Sequence, residues 1–155
     1  MQIIKVRKGK IDHRIMVDDA DFEELSKFRW VWRNGYACTR IFGNYIGMHR
    51  LIMEAHRGED IIIDHIDNNH KNNQRSNLRR ANRFQNQQNR KTNRKNTLPK
   101  GIRELPSGKY NVRIQTNGSR VIVGTFDTLE KAVDERNRVA RQLHGEFCNE
   151  SYILS

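Results

Sequence analysis

Asp64 and His65 stand together at the end of the apolar run Ile61-Ile62-Ile63, with Asn77 and then Asn86 following downstream. Those residue types, in that order, suit one chemistry. Hydrolysis of a phosphodiester needs an activated water, a cation to neutralise charge on the phosphate and leaving oxygen, and a group that positions the base. Asp64 offers a hard oxygen ligand for magnesium or manganese, and the Asn86 amide oxygen offers a second. His65 follows Asp64 along the strand, so it points to the opposite side, where it can accept the proton of water. Asn77 is placed to hold either the loop or the histidine tautomer by hydrogen bonding. Few protein ligands are expected, because Mg²⁺ keeps waters and completes its shell with substrate phosphate. Taken singly these signals are weak. An Asp-His pair at a strand end is commonly structural, and an Asn in a polar loop is commonly a turn former. Their combined spacing behind an apolar strand, in a basic chain, favours the functional reading.

The chain around them is short and strongly basic. Its 155 residues carry 29 Lys and Arg against 18 Asp and Glu, a formal net charge of +11, so it is attracted to polyanions. Only 35% of it is hydrophobic, which argues for two small units rather than one large core. The segment 91–100 (KTNRKNTLPK) holds four basic groups and no acid, lacks apolar periodicity, and reads as an exposed basic linker over 91–98. Its Lys91, Arg94 and Lys95 are phosphate-contact candidates. Cys38 and Cys148 form no CxxC pair, so no cysteine zinc site or disulfide framework is indicated. The sequence shows no secretory leader and no run approaching the roughly 20 apolar residues of a membrane span, so a cytoplasmic protein with no membrane partner is expected.

Before the Asp-His pair, Ile3–Val6 and Ile11–Val17 have strand-like content, and Asp18–Lys27 places Phe22, Leu25 and Phe28 at helical spacing. Asn34-Gly35 signals a hairpin between Trp30-Trp32 and Tyr36, aromatics expected mainly to form a small core. Met48–Ala55 reads as a short helix. After the pair, Asp67–Arg75 is a polar loop, and Asn82–Asn89 has only a weak apolar face. The last third changes rhythm. Gly101–Arg103, the alternating Tyr110–Gln115 and Arg120–Phe126 read as three strands, turned at Pro106-Ser107-Gly108 and Asn117-Gly118. Asp127 or Thr128 caps a helix with a stripe of Leu129, Ala132, Val133, Val139, Ala140 and Leu143, and Gly145 ends it. His13 and His144 are read as exposed or capping groups. His49 either packs on the core or reaches phosphate, and His70 sits in a loop able to approach DNA.

The run IIIDHIDNNHKNNQRSNLRRANRFQNQQN over residues 61–89 resembles the core of the HNH endonucleases, particularly the phage and intron-encoded homing type. Gly35-Tyr36 and Met48-His49-Arg50-Leu51 are similar to the segment ahead of that core. The resemblance implies a ββα fold holding one divalent ion (Mg²⁺ or Mn²⁺). Asp64 and Asn86 then match the metal ligands, His65 the general base and Asn77-Leu78 the central Asn-Leu. Asn86 stands where better-known members have a third histidine. Residues 99–149 resemble the Apetala/ethylene-response DNA-binding domain through Gly101-Ile102-Arg103, Gly108-Lys109-Tyr110, Gly124–Thr128 and Leu143-His144-Gly145. That family sets its sheet in the major groove, which makes Arg103 a DNA-contact position and Arg113, Arg120 and Lys109 nearby candidates. Leu105, Ser107 and Gln115 depart from the plant pattern, so no plant target sequence carries over.

The expected fold is therefore α+β: a ββα-metal nuclease core with an N-terminal α/β extension over 1–90, the linker 91–98, and over 99–155 a three-stranded antiparallel sheet packed on one helix. The expected function is site-specific cutting of double-stranded DNA, as a monomer or a transient dimer, in a phage or bacterial host cell. One active site cuts one strand, so nicking is the simplest outcome. A transcriptional regulator with a vestigial nuclease half is the alternative, and the intact Asp64, His65 and Asn86 count against it.

Overall fold

A computed structural model of the chain describes residues 1–55, 61–89, 98–116 and 118–149. Contacts divide the chain into two units, Met1–Asn82 and Arg83–Ser155. The linker residues Lys91, Arg94 and Lys95 lie outside the described residues.

The first unit opens with a hairpin of β1 (Gln2–Lys8) and β2 (Ile11–Val17), in antiparallel register from Gln2 opposite Val17 to Lys8 opposite Ile11. Alternation along both strands turns Ile4, Val6, Ile15 and Val17 into a core shared with Leu25, Trp30, Met48, Ile52, Ile63 and Leu78. Helix α1 (Asp19–Ser26) adds Leu25, whose carbonyl accepts the Trp30 indole N–H at 2.7 Å. Next comes a three-stranded sheet of β3 (Val31–Arg33), β4 (Tyr36–Ile41) and β5 (Asn44–Gly47), with β4 central. The expected Asn34-Gly35 turn is present, both residues at positive φ. A second turn of the same kind, at Phe42-Gly43, had no sequence signal, because Phe is a poor residue for a left-handed position. Helix α2 (Met48–Ile52) follows. The chain then enters β6 (Ile62–His65), and the Asp-His pair forms the last two residues of that strand, as expected. β6 pairs antiparallel with β7 (Leu78–Ala81), reached through a 3-10 turn at Arg75–Asn77.

The second unit begins with α3 (Arg83–Asn89), the helix that carries Asn86. Its sheet runs β10-β9-β8, formed by β8 (Ile102–Glu104), β9 (Tyr110–Thr116) and β10 (Ser119–Phe126). Val112 from the central strand and Ile102 from the edge meet Ala132 and Val133 of α4 (Leu129–His144). The Thr128 hydroxyl accepts the Lys131 N–H and caps α4, and Gly145 closes it at φ +52. The apolar stripe is shorter than its spacing predicts. Leu143 is 40% exposed, while Arg136 and Asn137 are buried. Arg136 Nη1 donates to the Asn149 carbonyl at 2.6 Å and to Asn137 Oδ1 at 2.9 Å, so polar pairing accompanies the buried Ala140 on the inner face. The fold is mixed α+β, and among the described residues no helix is long and apolar enough to cross a membrane.

Candidate active site

Strand β6 presents its last two side chains to opposite sides, and both are buried. Asp64 lies directly across from Arg79 on β7. The Arg79 Nε and Nη2 atoms donate to Asp64 Oδ2 at 3.0 and 2.9 Å, fixing the carboxylate at the strand end. His65 turns into a group of rings. It meets His49 edge-on, with centroids 5.3 Å apart, and His70 at 5.2 Å, while Tyr36 stacks on His70 at 4.1 Å.

A hydrogen-bond chain fixes the state of the histidines. Asn73 Nδ2 donates to the His70 carbonyl at 3.2 Å, which directs Asn73 Oδ1 at His65 Nε2, 3.3 Å away. An amide oxygen only accepts, so Nε2 carries the proton and Nδ1 is the basic nitrogen. Burial lowers the pKa of His65, the Asn73 bond raises it in part, and the net shift is downward, leaving a neutral imidazole near pH 7. His70 Nδ1 faces the Gly35 carbonyl at 3.2 Å and must donate to it. Its Nε2 lies 3.3 Å from the Tyr36 hydroxyl, within hydrogen-bond reach. Burial pushes His49 down to about 3, and the positive charge that His65, Arg50 or His70 can carry pushes the same way. The His49 ring folds back over Gly47, where a Cβ would lie 2.5 Å from its Cε1, so glycine there makes room for the ring.

The loop that carries Asn73 is tied down at both ends. Asp67 Oδ1 accepts the Asn69 N–H at 2.7 Å and the Asn77 amide at 2.9 Å, and Asp67 Oδ2 accepts the Asn72 amide at 2.9 Å. Burial alone would raise the pKa of Asp67, but these three bonds outweigh it and hold the carboxyl below its ordinary value. Asn77 Oδ1 accepts the Asp67 N–H in return, at 3.1 Å. Of the two roles open to Asn77, the structure shows loop closure, and Asn73 meets the histidine. The far side of the loop joins β2: Met16 N–H donates to the Lys71 carbonyl and Asn73 N–H to the Met16 carbonyl, each at 2.8 Å. Asp18 precedes α1 but does not cap it. Its carboxylate takes the Arg75 N–H at 2.8 Å and the Gln74 amide at 3.0 Å, while Asp21 holds the Arg75 guanidinium.

Among the described residues no three His, Cys, Asp or Glu side chains converge to hold a metal ion. The donor chemistry fits a more sparsely held ion. Asp64 presents a fixed carboxylate, a hard oxygen donor held by Arg79, and a cation that keeps most of its waters asks for only one or two protein oxygens. Asn86, half-buried on α3, belongs to the second unit.

In that second unit, register places the arginines. Arg103 lies opposite Asn111, Arg113 opposite Ile122, and Arg120 opposite Gln115. Since Asn111, Arg113 and Gln115 alternate with the buried Val112 and Ile114, all three arginines share the face turned away from α4. Ile122, 67% exposed, lies among them. Lys109 is ion-paired with Asp127 at 2.9 Å.

Sequence reasoning missed Asn73, Arg79 and Asp67. Arg79 becomes legible only once β6 and β7 are paired in register. Asn73 is one of several asparagines in a run that all look like turn formers, and only its burial distinguishes it.

Residues 47–88 match the family described as HNH endonuclease, a stretch that takes in His49, Asn73, Asn77 and the Asp-His strand. The first unit thus carries most of an HNH-type nuclease domain. The chain is also 34% identical over 128 residues to an uncharacterized HNH endonuclease of Acanthamoeba polyphaga mimivirus. That alignment covers 79% of this chain, more than the first unit contains, so the similarity runs on into the second. It covers 66% of the viral protein, so the chain spans just under two thirds of its relative's length. No solved structure matches the chain.

Proposed function

We propose that the chain is a site-specific DNA endonuclease that hydrolyses one phosphodiester at a time, with His65 as general base. The observation that carries this reading is the His65 imidazole, buried, neutral and oriented by Asn73, next to the fixed carboxylate of Asp64 within an HNH-type domain. His65 Nδ1 takes the proton of the attacking water, and Asn73 steadies the imidazolium that forms through the Nε2–H bond. Asp64 and Asn86 would hold the divalent cation, which supplies charge neutralisation at the phosphate and leaving oxygen. Asn77 and Asp67 keep the loop from shifting Asn73 away from the ring. Target selection is assigned to the second unit, read as an Apetala-type domain. Arg103, Arg113 and Arg120 share one face, Arg reads guanine through paired donors, and Ile122 offers an apolar contact for a thymine methyl. Lys109 would exchange Asp127 for a phosphate, and Lys91, Arg94 and Lys95 of the linker would add further phosphate contacts.

Supercoiled plasmid, incubated with Mg²⁺ or Mn²⁺ and resolved on a gel, tests the reading. Nicked circles are expected with either ion, none with a chelator, and almost none from His65→Ala with DNA binding retained. Intact plasmid under every metal condition would refute the endonuclease, and full activity of His65→Ala would remove His65 from the base role.

A further inference from the structure

The hairpin joining β4 and β5 has a feature that neither the core nor the His65 site uses. Phe42 is 98% exposed, and its backbone sits at φ +46. Asn or Gly takes that conformation readily, whereas a bulky aromatic is an outlier there. The position is thus unfavourable twice over, in strained backbone and in an unburied ring, with no gain to the fold. The turn is braced around it: Arg40 Nε donates to the Gly43 carbonyl, and the Asn44 amide to the Phe42 carbonyl, each at 3.1 Å. Opposite Arg40 lies Tyr45, 48% exposed, with the Arg33 guanidinium 4.6 Å from its ring centroid. From Leu25 to Met53 the sequence has Lys27, Arg29, Arg33, Arg40 and Arg50 and no acidic residue at all.

We propose that this hairpin is a wedge that inserts Phe42 between stacked bases of duplex DNA and bends it, while the arginines behind it hold phosphates. Apolar side chains entering a base step in this way kink the duplex and let more protein surface reach it. The charge around the tip favours a polyanion, and a single aromatic beside Arg40, Gly43 and Asn44 is too little apolar surface to anchor to lipid. The inference rests on the DNA-cutting reading.

The test uses the full chain and a set of cleavable duplexes, each with 2-aminopurine at one position. The wild type is expected to raise fluorescence severalfold at one step of the duplex outside the nicked one. Phe42→Asn should abolish that rise and weaken binding by about tenfold, a typical loss for one base–aromatic stack. Because Asn suits the left-handed position, the variant should melt at the same temperature or higher, so misfolding cannot explain the loss. If the wild type nicks but no probe brightens, or Phe42→Asn keeps the rise, the wedge is overturned and the endonuclease stands. If the wild type neither binds nor nicks DNA, both readings fall. Loss of binding to phosphatidylserine vesicles, or of a dimer in the absence of DNA, with DNA distortion intact in Phe42→Asn, would overturn the wedge in favour of those partners.

Discussion

A general base must be neutral before it can act, and for His65, the proposed base, packing favours that state rather than a charged partner. Burial lowers its pKa, so the acidic limb of the kcat/KM profile is expected below the ordinary histidine value of 6.5. Asn73 is the lever on that limb. Asn73→Ala removes the acceptor for Nε2–H and should cut activity by about 10–100-fold, as loss of an orienting partner usually does. Asn73→Asp places a carboxylate at the same atom, raises the pKa of His65 and moves the limb to higher pH. A pH–rate series on the three proteins checks this, and an unmoved limb in Asn73→Asp would show that the pair does not set the base. His49 makes a separate prediction about stability. Its folded pKa, about 3, lies below its unfolded value near 6.5, so between those limits the unfolded chain binds more protons. The penalty is absent above pH 6.5 and grows as pH falls towards 3, reaching on the order of a few kcal/mol at about 1.4 kcal/mol per pH unit. Urea midpoints at pH 7.5 and 4.5 should show a smaller drop for His49→Gln than for the wild type. Equal drops would mean that the ring is protonated in place.

Elements were legible in the sequence where local chemistry chose them, and hidden where tertiary contacts did. Asn34-Gly35, the Thr128 cap and the alternation of Tyr110–Gln115 all announce themselves, because each residue prefers its observed backbone or face. The Phe42-Gly43 turn runs against preference, so β5, the third strand of its sheet, went unread. The role of the β1–β2 hairpin was hidden for another reason. Its work is done by the Met16 backbone, which pairs with Lys71 and Asn73, and backbone groups leave no trace in residue type. The partners of Asp18 were hidden in the same way: it stands just before α1, but the Arg75 N–H and then the Gln74 amide claim its carboxylate and hold its pKa below the ordinary value. The hairpin and α1 thus act as a platform for the loop that orients His65. Asp18→Ala should cost about 1–2 kcal/mol through the lost charge-assisted bonds, and should slow cleavage without weakening DNA binding. Hydrogen exchange reads the cause directly: the Asn73 and Asn77 amides should exchange faster in the variant. Unchanged protection there would mean that the loop holds itself.

At the scale of the whole chain, the composition pointed to two small units, and the contacts divide the chain at Asn82/Arg83, ahead of the basic linker rather than within it. The placement of α3 has consequences for both stability and chemistry. Within the second unit, Lys100 Nζ donates to the Gln87 carbonyl at 2.8 Å and the Asn149 amide to the Asn89 carbonyl at 2.7 Å, while Gln88 and Asn89 are buried. Phe84, Gln87 and Gln88 also line a cleft of about 460 Å³ with Arg113, Arg136 and His144. Without α3, the sheet and α4 retain a core of Ile102, Val112, Ala132 and Val133 with a few half-buried neighbours, close to the lower limit for a unit of that size. A fragment of residues 83–155 should therefore unfold cooperatively, and one of residues 99–155 should be clearly less stable or only partly folded. The same boundary divides the proposed metal ligands, since Asp64 lies before it and Asn86 after it. A fragment of residues 1–82 keeps the His65 cluster and its bond to Asn73, yet it should not nick plasmid, because of the two proposed ligands only the Asp64 carboxylate is left to hold the cation. Residues 1–96, which regain Asn86, should nick weakly and with little selectivity. Circular dichroism melts and plasmid assays on the four fragments decide the matter together. Equal stability of 99–155 and 83–155 would assign α3 energetically to the first unit, and nicking by 1–82 as fast as by 1–96 would remove Asn86 from the metal site.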